Sequence, residues 1–297
     1  MTAARIARPT DRSDSGPPGE GYRRALGLDD PDQLLNLVDP ATLTALAAAG
    51  LTSMVPMDRG GYGVILKAKD EHTGQARAIK VVLDPHLPQR MQVFERECKV
   101  LASPQLPAGI APRYFTAGKP DGGQPFIVLE WIDGKKLSHW LDDQPGLTIA
   151  RRELVCRAIF ATYAKLHAAN LIHRDVSLGN IMISGNRIIL IDFGGAGRAA
   201  PGYLSRNTQT RVPTTEAFVS GPVLREERKP GIPDEVHAVA KVCFTVLTGQ
   251  LAVELTTDQR KAAMKQKGCK ADLIDILLPR MEDPPIQLVQ QSQAVEF

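Results

Sequence analysis

Cysteine is scarce in this chain of 297 residues, and the four present, Cys98, Cys156, Cys243 and Cys269, stand far apart with no CxxC pair. That spacing argues against a zinc site or a disulfide scaffold and fits a reduced, cytoplasmic setting. His72, His86, His167 and His237 have no ligand spacing either, so no metal site of their own is expected. Long apolar runs are also lacking. The longest candidate, Ala41 to Met57, is broken by Thr, Gly and Pro. It falls short of the roughly 18 consecutive apolar residues of a membrane span. The N-terminus, MTAARIARPTDRSDSG, has no apolar stretch of the secretory kind. Nor does either sign of charge dominate: 36 Lys and Arg against 33 Asp and Glu leave +3. A nucleic-acid partner calls for a clustered basic stripe, which this balance does not give. No internal repeat is visible. What remains is ordinary globular composition, 43% hydrophobic and 23% charged. The length allows one large domain or two lobes around a sizeable core.

Residues 1–20 are rich in Arg, Asp, Ser, Pro and Gly and read as a disordered tail. Residues 21–50 read as a helical extension, with one short helix from Pro31 and another from Pro40 that Gly50 would cap. Strand patterns follow at Gly63–Ala68 and Gln75–Val82, with turn chemistry at Asp70 to Gly74. Leu87 to Ala102 carries apolar residues at helical spacing, and Phe126–Glu130 is a short apolar strand. After Gly134 the pattern becomes mainly helical: Leu137–Leu141, Ala150–Ala169, Pro233–Thr248 and Lys270–Met281. Asn180 to Ile191 reads as two short strands about a Gly185-Asn186 turn. A strand-rich lobe, residues 51–132, thus precedes a helical lobe, residues 133–297, with an extended joint near 130–135.

Three segments carry chemistry. Gly60-Gly61-Tyr62-Gly63 lies between two strands, where glycine leaves no side chain between the backbone and a phosphate. Alone it reads first as a hairpin turn. His173-Arg174-Asp175-Val176-Ser177-Leu178-Gly179-Asn180 sets an Asp and an Asn five positions apart. The carboxylate can orient a hydroxyl and accept its proton, and the amide oxygen is a hard ligand suited to Mg²⁺. Asp192-Phe193-Gly194 begins twelve positions after Asn180, at the end of an apolar strand. A charge there is costly unless it meets a cation, which Mg²⁺ with a triphosphate would supply.

Together these segments resemble the eukaryotic-type protein kinase family from about Leu51 to Ile286. The resemblance implies an α+β, bilobal fold: a small lobe with an antiparallel sheet and one helix, and a larger helical lobe. It implies ATP and Mg²⁺ as cofactors and a protein Ser or Thr hydroxyl as acceptor. Lys80, in Ala76-Arg77-Ala78-Ile79-Lys80, matches the family's phosphate-holding lysine, and Glu97 its helix-borne partner. Gly60, Gly61, Tyr62 and Gly63 would cover the phosphates. Leu129 falls at the gatekeeper position, and the backbone of Glu130 and Ile132 would bind adenine. Asp175 matches the catalytic base, and Asn180 and Asp192 the metal ligands. His173 is expected to be structural. Asp234 falls where the family braces its catalytic loop.

The chain departs from the family in four places. Asp58 replaces the first glycine of the loop. Ser177 stands where Ser/Thr kinases usually carry Lys, and resembles atypical relatives such as the RIO kinases. Gly221-Pro222-Val223 occupies the APE register without its glutamate. Gln287 stands where that glutamate's arginine partner should be. Losing both partners of an ion pair is tolerable where losing one is not, so a remodelled activation segment is expected over about Gly194 to Pro233. Its hydroxyls (Tyr203, Ser205, Thr208, Thr210, Thr214, Thr215, Ser220) could accept a phosphate that contacts Arg174. Two other functions remain open at this point. One is a small-molecule phosphotransferase of the aminoglycoside or choline kinase type. The other is a catalytically weak scaffold that docks a partner through residues 31–50.

Overall fold

The computed structural model describes residues 31–199, 217–225 and 230–283. Five strands make one antiparallel sheet: β1 (Leu51–Arg59), β2 (Gly63–Asp70), β3 (Ala76–Val82), β4 (Tyr114–Gly118) and β5 (Phe126–Glu130). Their spatial order is β1-β2-β3-β5-β4. Branched apolar residues alternate along β2 and β3, which gives the sheet one oily face. Val64, Leu66, Ile79 and Val81 are fully buried there. The same alternation turns Lys80, between Ile79 and Val81, to the opposite face. Its cross-strand neighbours are Ile65 and Ile127.

The period-two rule also divides β5 between the two hydrophobic cores. Phe126 and Val128 join the core on the outer face of the sheet. Ile127 and Leu129 join the larger core that runs into the helical lobe. One strand therefore anchors both lobes. Helix α3 (residues Pro88–Leu101) begins with Pro at its first turn, where the missing N–H costs nothing. It buries Val93, Glu97, Val100 and Leu101, an i, i+4, i+7, i+8 face that places one carboxylate among apolar neighbours.

Two preceding helices, α1 (Pro31–Leu35) and α2 (Pro40–Ala48), lie against the outer face of the sheet. Val38 and Leu46 are buried in that core, and Leu34 is buried as well. A polar clamp fixes the cap. Gln124 Nε2 donates to the Leu37 carbonyl at 2.9 Å, and its Oε1 accepts the Asp39 N–H at 2.8 Å. Thr42 Oγ1 exchanges hydrogen bonds with the Gln124 backbone. These helices thus cap the sheet through Val38 and Leu46, while Leu35, Leu37 and Leu43 stay half-buried. Gly50 ends the second helix at φ 76°, as its sequence suggests.

The helical lobe follows a short link. It comprises β6 (Lys135–Lys136), α4 (Leu137–Asp142), α5 (Ile149–Ala168), β7 (Leu171–Ile172), β8 (Ile181–Ser184), β9 (Arg187–Leu190) and β10 (Gly197–Arg198). Then come α6 (Gly221–Leu224), α7 (Ile232–Thr248), α8 (Thr257–Gln266) and α9 (Ala271–Arg280). Helix α7 is buried almost all round and packs on α5, whose N-terminus is capped by Thr148. The β8–β9 hairpin turns at Gly185, φ 59°, and β6 completes a three-stranded sheet with it. No helix among the described residues is long and apolar enough to cross a membrane.

Three elements escape the sequence pattern. Strand β1 contains Pro56 and two register shifts, and an edge position tolerates both. Strand β4 is short and half-exposed. Helix α8 is polar on most faces and buries only Met264. The tail assigned to residues 1–20 lies outside the described residues, as do Gln287 and the hydroxyls Tyr203 to Thr215.

Candidate active site

Lys80 is the meeting point of the two lobes. Its Nζ lies 2.6 Å from Glu97 Oε2 on α3 and 2.9 Å from Asp192 Oδ1 beyond β9. Burial alone would lower the lysine's pKa, but the two carboxylates outweigh it and hold the value above that of an ordinary lysine. The ammonium in turn keeps Asp192 below the usual aspartate range, against the opposing effect of burial. Glu97 is sealed in, its side chain 3% exposed, whereas that of Asp192 is 41% exposed. One carboxylate is thus dedicated to the lysine and the other still faces water.

The β8–β9 hairpin explains why Asn180 and Asp192 converge. Ile181 pairs with Leu190, and the Ile191 N–H donates to the Asn180 carbonyl at 3.0 Å, so the residues flanking the hairpin are neighbours. Asp192 takes a left-handed φ of 65°, a conformation that costs an aspartate about 1–3 kcal/mol. Phe193, fully buried, packs edge-on against His173 with ring centroids 4.8 Å apart. His173 Nε2 also pairs with the Ile191 carbonyl at 3.0 Å, which bears out its structural reading. Gly194 admits α3: a Cβ there would sit 2.5 Å from Val93 Cγ1. Arg96 of the same helix donates to the Gly194 carbonyl at 3.2 Å. The helix that carries Glu97 is therefore coupled mechanically to the segment that carries Asp192.

Asn180 Nδ2 donates to Asp175 Oδ2 at 2.8 Å and to the Asp175 carbonyl at 3.0 Å. With its nitrogen committed, its amide oxygen is the atom left to act as a ligand. The loop that holds Asp175 is braced from below, and here one expectation is corrected. The carboxylate that accepts the His173 and Arg174 N–H groups, both at 2.7 Å, belongs to Glu235. Asp234, one position earlier on α7, instead accepts Ser220 Oγ and the Gly231 N–H. One residue along a helix is a 100° rotation, so only one of two adjacent acids can face the loop. Glu235 also binds His167 Nε2 at 2.7 Å.

The glycine segment closes the β1–β2 hairpin, with the Gly60 N–H donating to the Gly63 carbonyl at 2.9 Å. A Cβ on Gly60 or Gly61 would meet nothing within 4 Å, whereas one on Gly63 would lie 2.4 Å from the Val81 carbonyl. The first two glycines therefore leave open space and the third permits close strand pairing. The carbonyl of Gly61 accepts Arg90 Nη1 at 2.7 Å, and the Arg90 guanidinium lies near the Tyr62 ring. At the link, the Glu130 N–H donates to the Arg113 carbonyl at 2.8 Å. Ile132 is buried two residues further on.

The segment lacking the APE glutamate is held by other groups. The Gly221 N–H donates to Asp283 Oδ1 at 2.8 Å, Lys241 Nζ donates to the Val219 carbonyl at 3.1 Å, and Ser220 is tied to Asp234. Asp283, just past α9, supplies from that side the anchoring carboxylate that the sequence comparison finds missing. Sequence reasoning had no signal for this, because Asp283 stands 62 residues from Gly221.

Fold and site together define a two-lobed enzyme-like scaffold with a Lys–Glu–Asp cluster above an Asp–Asn loop. The chain belongs to the protein kinase family: the family model for the protein kinase domain matches residues 52–294. It is similar to the serine/threonine-protein kinase PknB of Mycobacterium tuberculosis, 32% identical over 246 residues, covering 76% of this chain and 38% of that protein. It is also similar to the DNA damage-responsive serine/threonine-protein kinase RqkA of Deinococcus radiodurans, 27% identical over 222 residues, covering 71% of this chain and 31% of that protein. A third relative is the probable serine/threonine-protein kinase pknA2 of Bifidobacterium longum, 27% identical over 198 residues, covering 65% of this chain and 25% of that protein. The chain thus spans between a quarter and two fifths of these relatives' length.

Proposed function

We propose that this protein transfers the γ-phosphate of ATP to a Ser or Thr hydroxyl of a protein, itself included. The observation that carries this reading is the Lys80–Glu97 and Lys80–Asp192 pairing, with Asp192 joined through its neighbour Ile191 to Asn180 and so to Asp175. Lys80, fixed by Glu97, orients the α- and β-phosphates. The backbone of Gly60 to Gly63 covers the triphosphate, with open space at Gly60 and Gly61 for close approach. The carbonyl of Glu130 and the backbone of Ile132 receive adenine. Asp175 aligns the acceptor hydroxyl and takes its proton, while Asn180 steadies that carboxylate. Positioning and charge neutralisation supply most of the rate in such a transfer. The donor set fits Mg²⁺: Asp192 stays anionic and partly open, and Asn180 offers an amide oxygen. When bound, Mg²⁺ neutralises charge on the phosphates.

The activity for which the relatives are named, serine/threonine-protein kinase, supports a protein acceptor over a small alcohol. The free state of Cys98, Cys156, Cys243 and Cys269 agrees with the proposed cytoplasmic setting. The test is incubation with labelled ATP and Mg²⁺, alone, with generic protein substrates, and with small alcohols. Label should appear on Ser or Thr of protein and vanish in Asp175→Asn. Label on a small alcohol alone, or none from the wild type, overturns the proposal.

A further inference from the structure

The departure at Asp58 acquires a partner in the fold. Asp58 is the penultimate residue of β1, two positions before Gly60. Its Oδ1 accepts the Arg59 N–H at 2.8 Å, and its Oδ2 pairs with Lys136 Nζ at 2.5 Å. Lys136 belongs to the other lobe. It lies in β6, four residues past Ile132, and is in register with Met182 of β8. This ion pair therefore joins the root of the glycine segment to the small sheet whose hairpin carries Asn180 and Asp192. The tip of the same segment is held separately, through Arg90 and the Gly61 carbonyl. Lys80–Asp192 and Arg96–Gly194 link the lobes at the inner end of the site. Asp58–Lys136 links them on the side of the interlobe link. A glycine at position 58 could make no such contact.

We infer that Asp58 and Lys136 are positioning residues that clasp the mouth of the nucleotide cleft, on the side between the phosphate cover and the adenine edge, and slow nucleotide release. This rests on the nucleotide reading proposed above. The side chains are 24% and 33% exposed, so the pair is dry enough to hold and wet enough to open. Half-exposed pairs contribute on the order of 1 kcal/mol or less, which corresponds to a roughly two- to five-fold change in a rate. Such an increment suits a latch that must open in each cycle.

Surface plasmon resonance on the immobilised full chain, with Mg²⁺ and a non-hydrolysable ATP analogue, tests the clasp. Asp58→Asn and Lys136→Gln should each raise the dissociation rate about two- to five-fold while lowering Tm by no more than about 3 °C. The reversed pair, Asp58→Lys with Lys136→Asp, should return the rate toward that of the wild type. High salt should speed release more from the wild type than from the single variants. The clasp is overturned if both single variants release the analogue at the wild-type rate, or if the reversed pair is no slower than they are. A wild type that shows no Mg²⁺-dependent binding instead overturns the nucleotide reading, and the clasp with it.

Discussion

Replacing Lys80 with Met keeps the aliphatic stem and removes the charge that two carboxylates share. Removing one partner of a buried pair generally costs about 3–5 kcal/mol, because the other charge stays behind without water. Asp192, 41% exposed on its side chain, recovers much of its solvation. Glu97, at 3%, does not. It can escape only by taking up a proton. We therefore expect Lys80→Met to lose roughly 2–4 kcal/mol of unfolding free energy near neutral pH. The pH dependence follows with a definite sign. In the variant, burial holds the Glu97 carboxyl above the usual glutamate range, with Lys80 no longer opposing it. A carboxyl so raised stabilises the fold at low pH and loses that contribution as pH rises past the unfolded value. Acidification from about pH 7 toward the ordinary carboxylate range should then return part of the loss to the variant, at no more than roughly 1.4 kcal/mol per unit. The wild type should gain less over that interval, because burial raises the Glu97 carboxyl there too but the Lys80 charge opposes it. Urea unfolding followed by circular dichroism at both pH values gives the numbers. Adding Glu97→Gln should recover most of the loss at neutral pH. A loss below about 1 kcal/mol, a penalty that does not shrink in acid, or a double variant no more stable than Lys80→Met would refute the reasoning.

Other perturbations separate fold from function. Gly63→Ala forces a Cβ to 2.4 Å from the Val81 carbonyl and should lower stability by about 1–3 kcal/mol. Gly60→Ala and Gly61→Ala should leave Tm unchanged and weaken nucleotide binding, readable by calorimetric titration. Gln124→Ala strands the Leu37 carbonyl and the Asp39 N–H, at a cost of about 1–3 kcal/mol. Hydrogen exchange should then quicken across residues 31–48 while phosphoryl transfer persists. His237 faces Lys241, Asp283, Asp234 and the Glu282 carbonyl; burial first, and then Lys241, hold its pKa below 6.5. A lowered histidine must take up its proton on unfolding, so the fold loses stability as pH falls below 6.5. His237→Gln should flatten that decline in denaturant titrations.

Much of the site could be read from spacing because its groups sit at fixed offsets within short segments. Asp175 and Asn180 share one loop, and Asp192 follows a hairpin whose turn, Gly185-Asn186, has its own signature. Lys80 and Glu97 followed once the family was recognised. What the spacing could not supply was rotation and distance. Asp234 and Glu235 are adjacent acids, and only the packed helix shows that Glu235 turns toward His173 and Arg174. The Asp58–Lys136 pair bridges 78 residues, and neither residue type betrays it. The capping of the sheet by residues 31–48 depends on Gln124, a polar side chain that no hydrophobic pattern marks for burial.

The central claim is that groups from both lobes close on one metal-bound triphosphate. Its most direct test is calorimetric titration of the full chain with a non-hydrolysable ATP analogue, with and without Mg²⁺, in the wild type, Lys80→Met, Asp192→Asn and Asp175→Asn. Binding should require Mg²⁺, weaken at least about tenfold in the first two variants, the loss of one charge-assisted contact, and persist in Asp175→Asn. Affinity indifferent to Mg²⁺, to Lys80 and to Asp192 would contradict it.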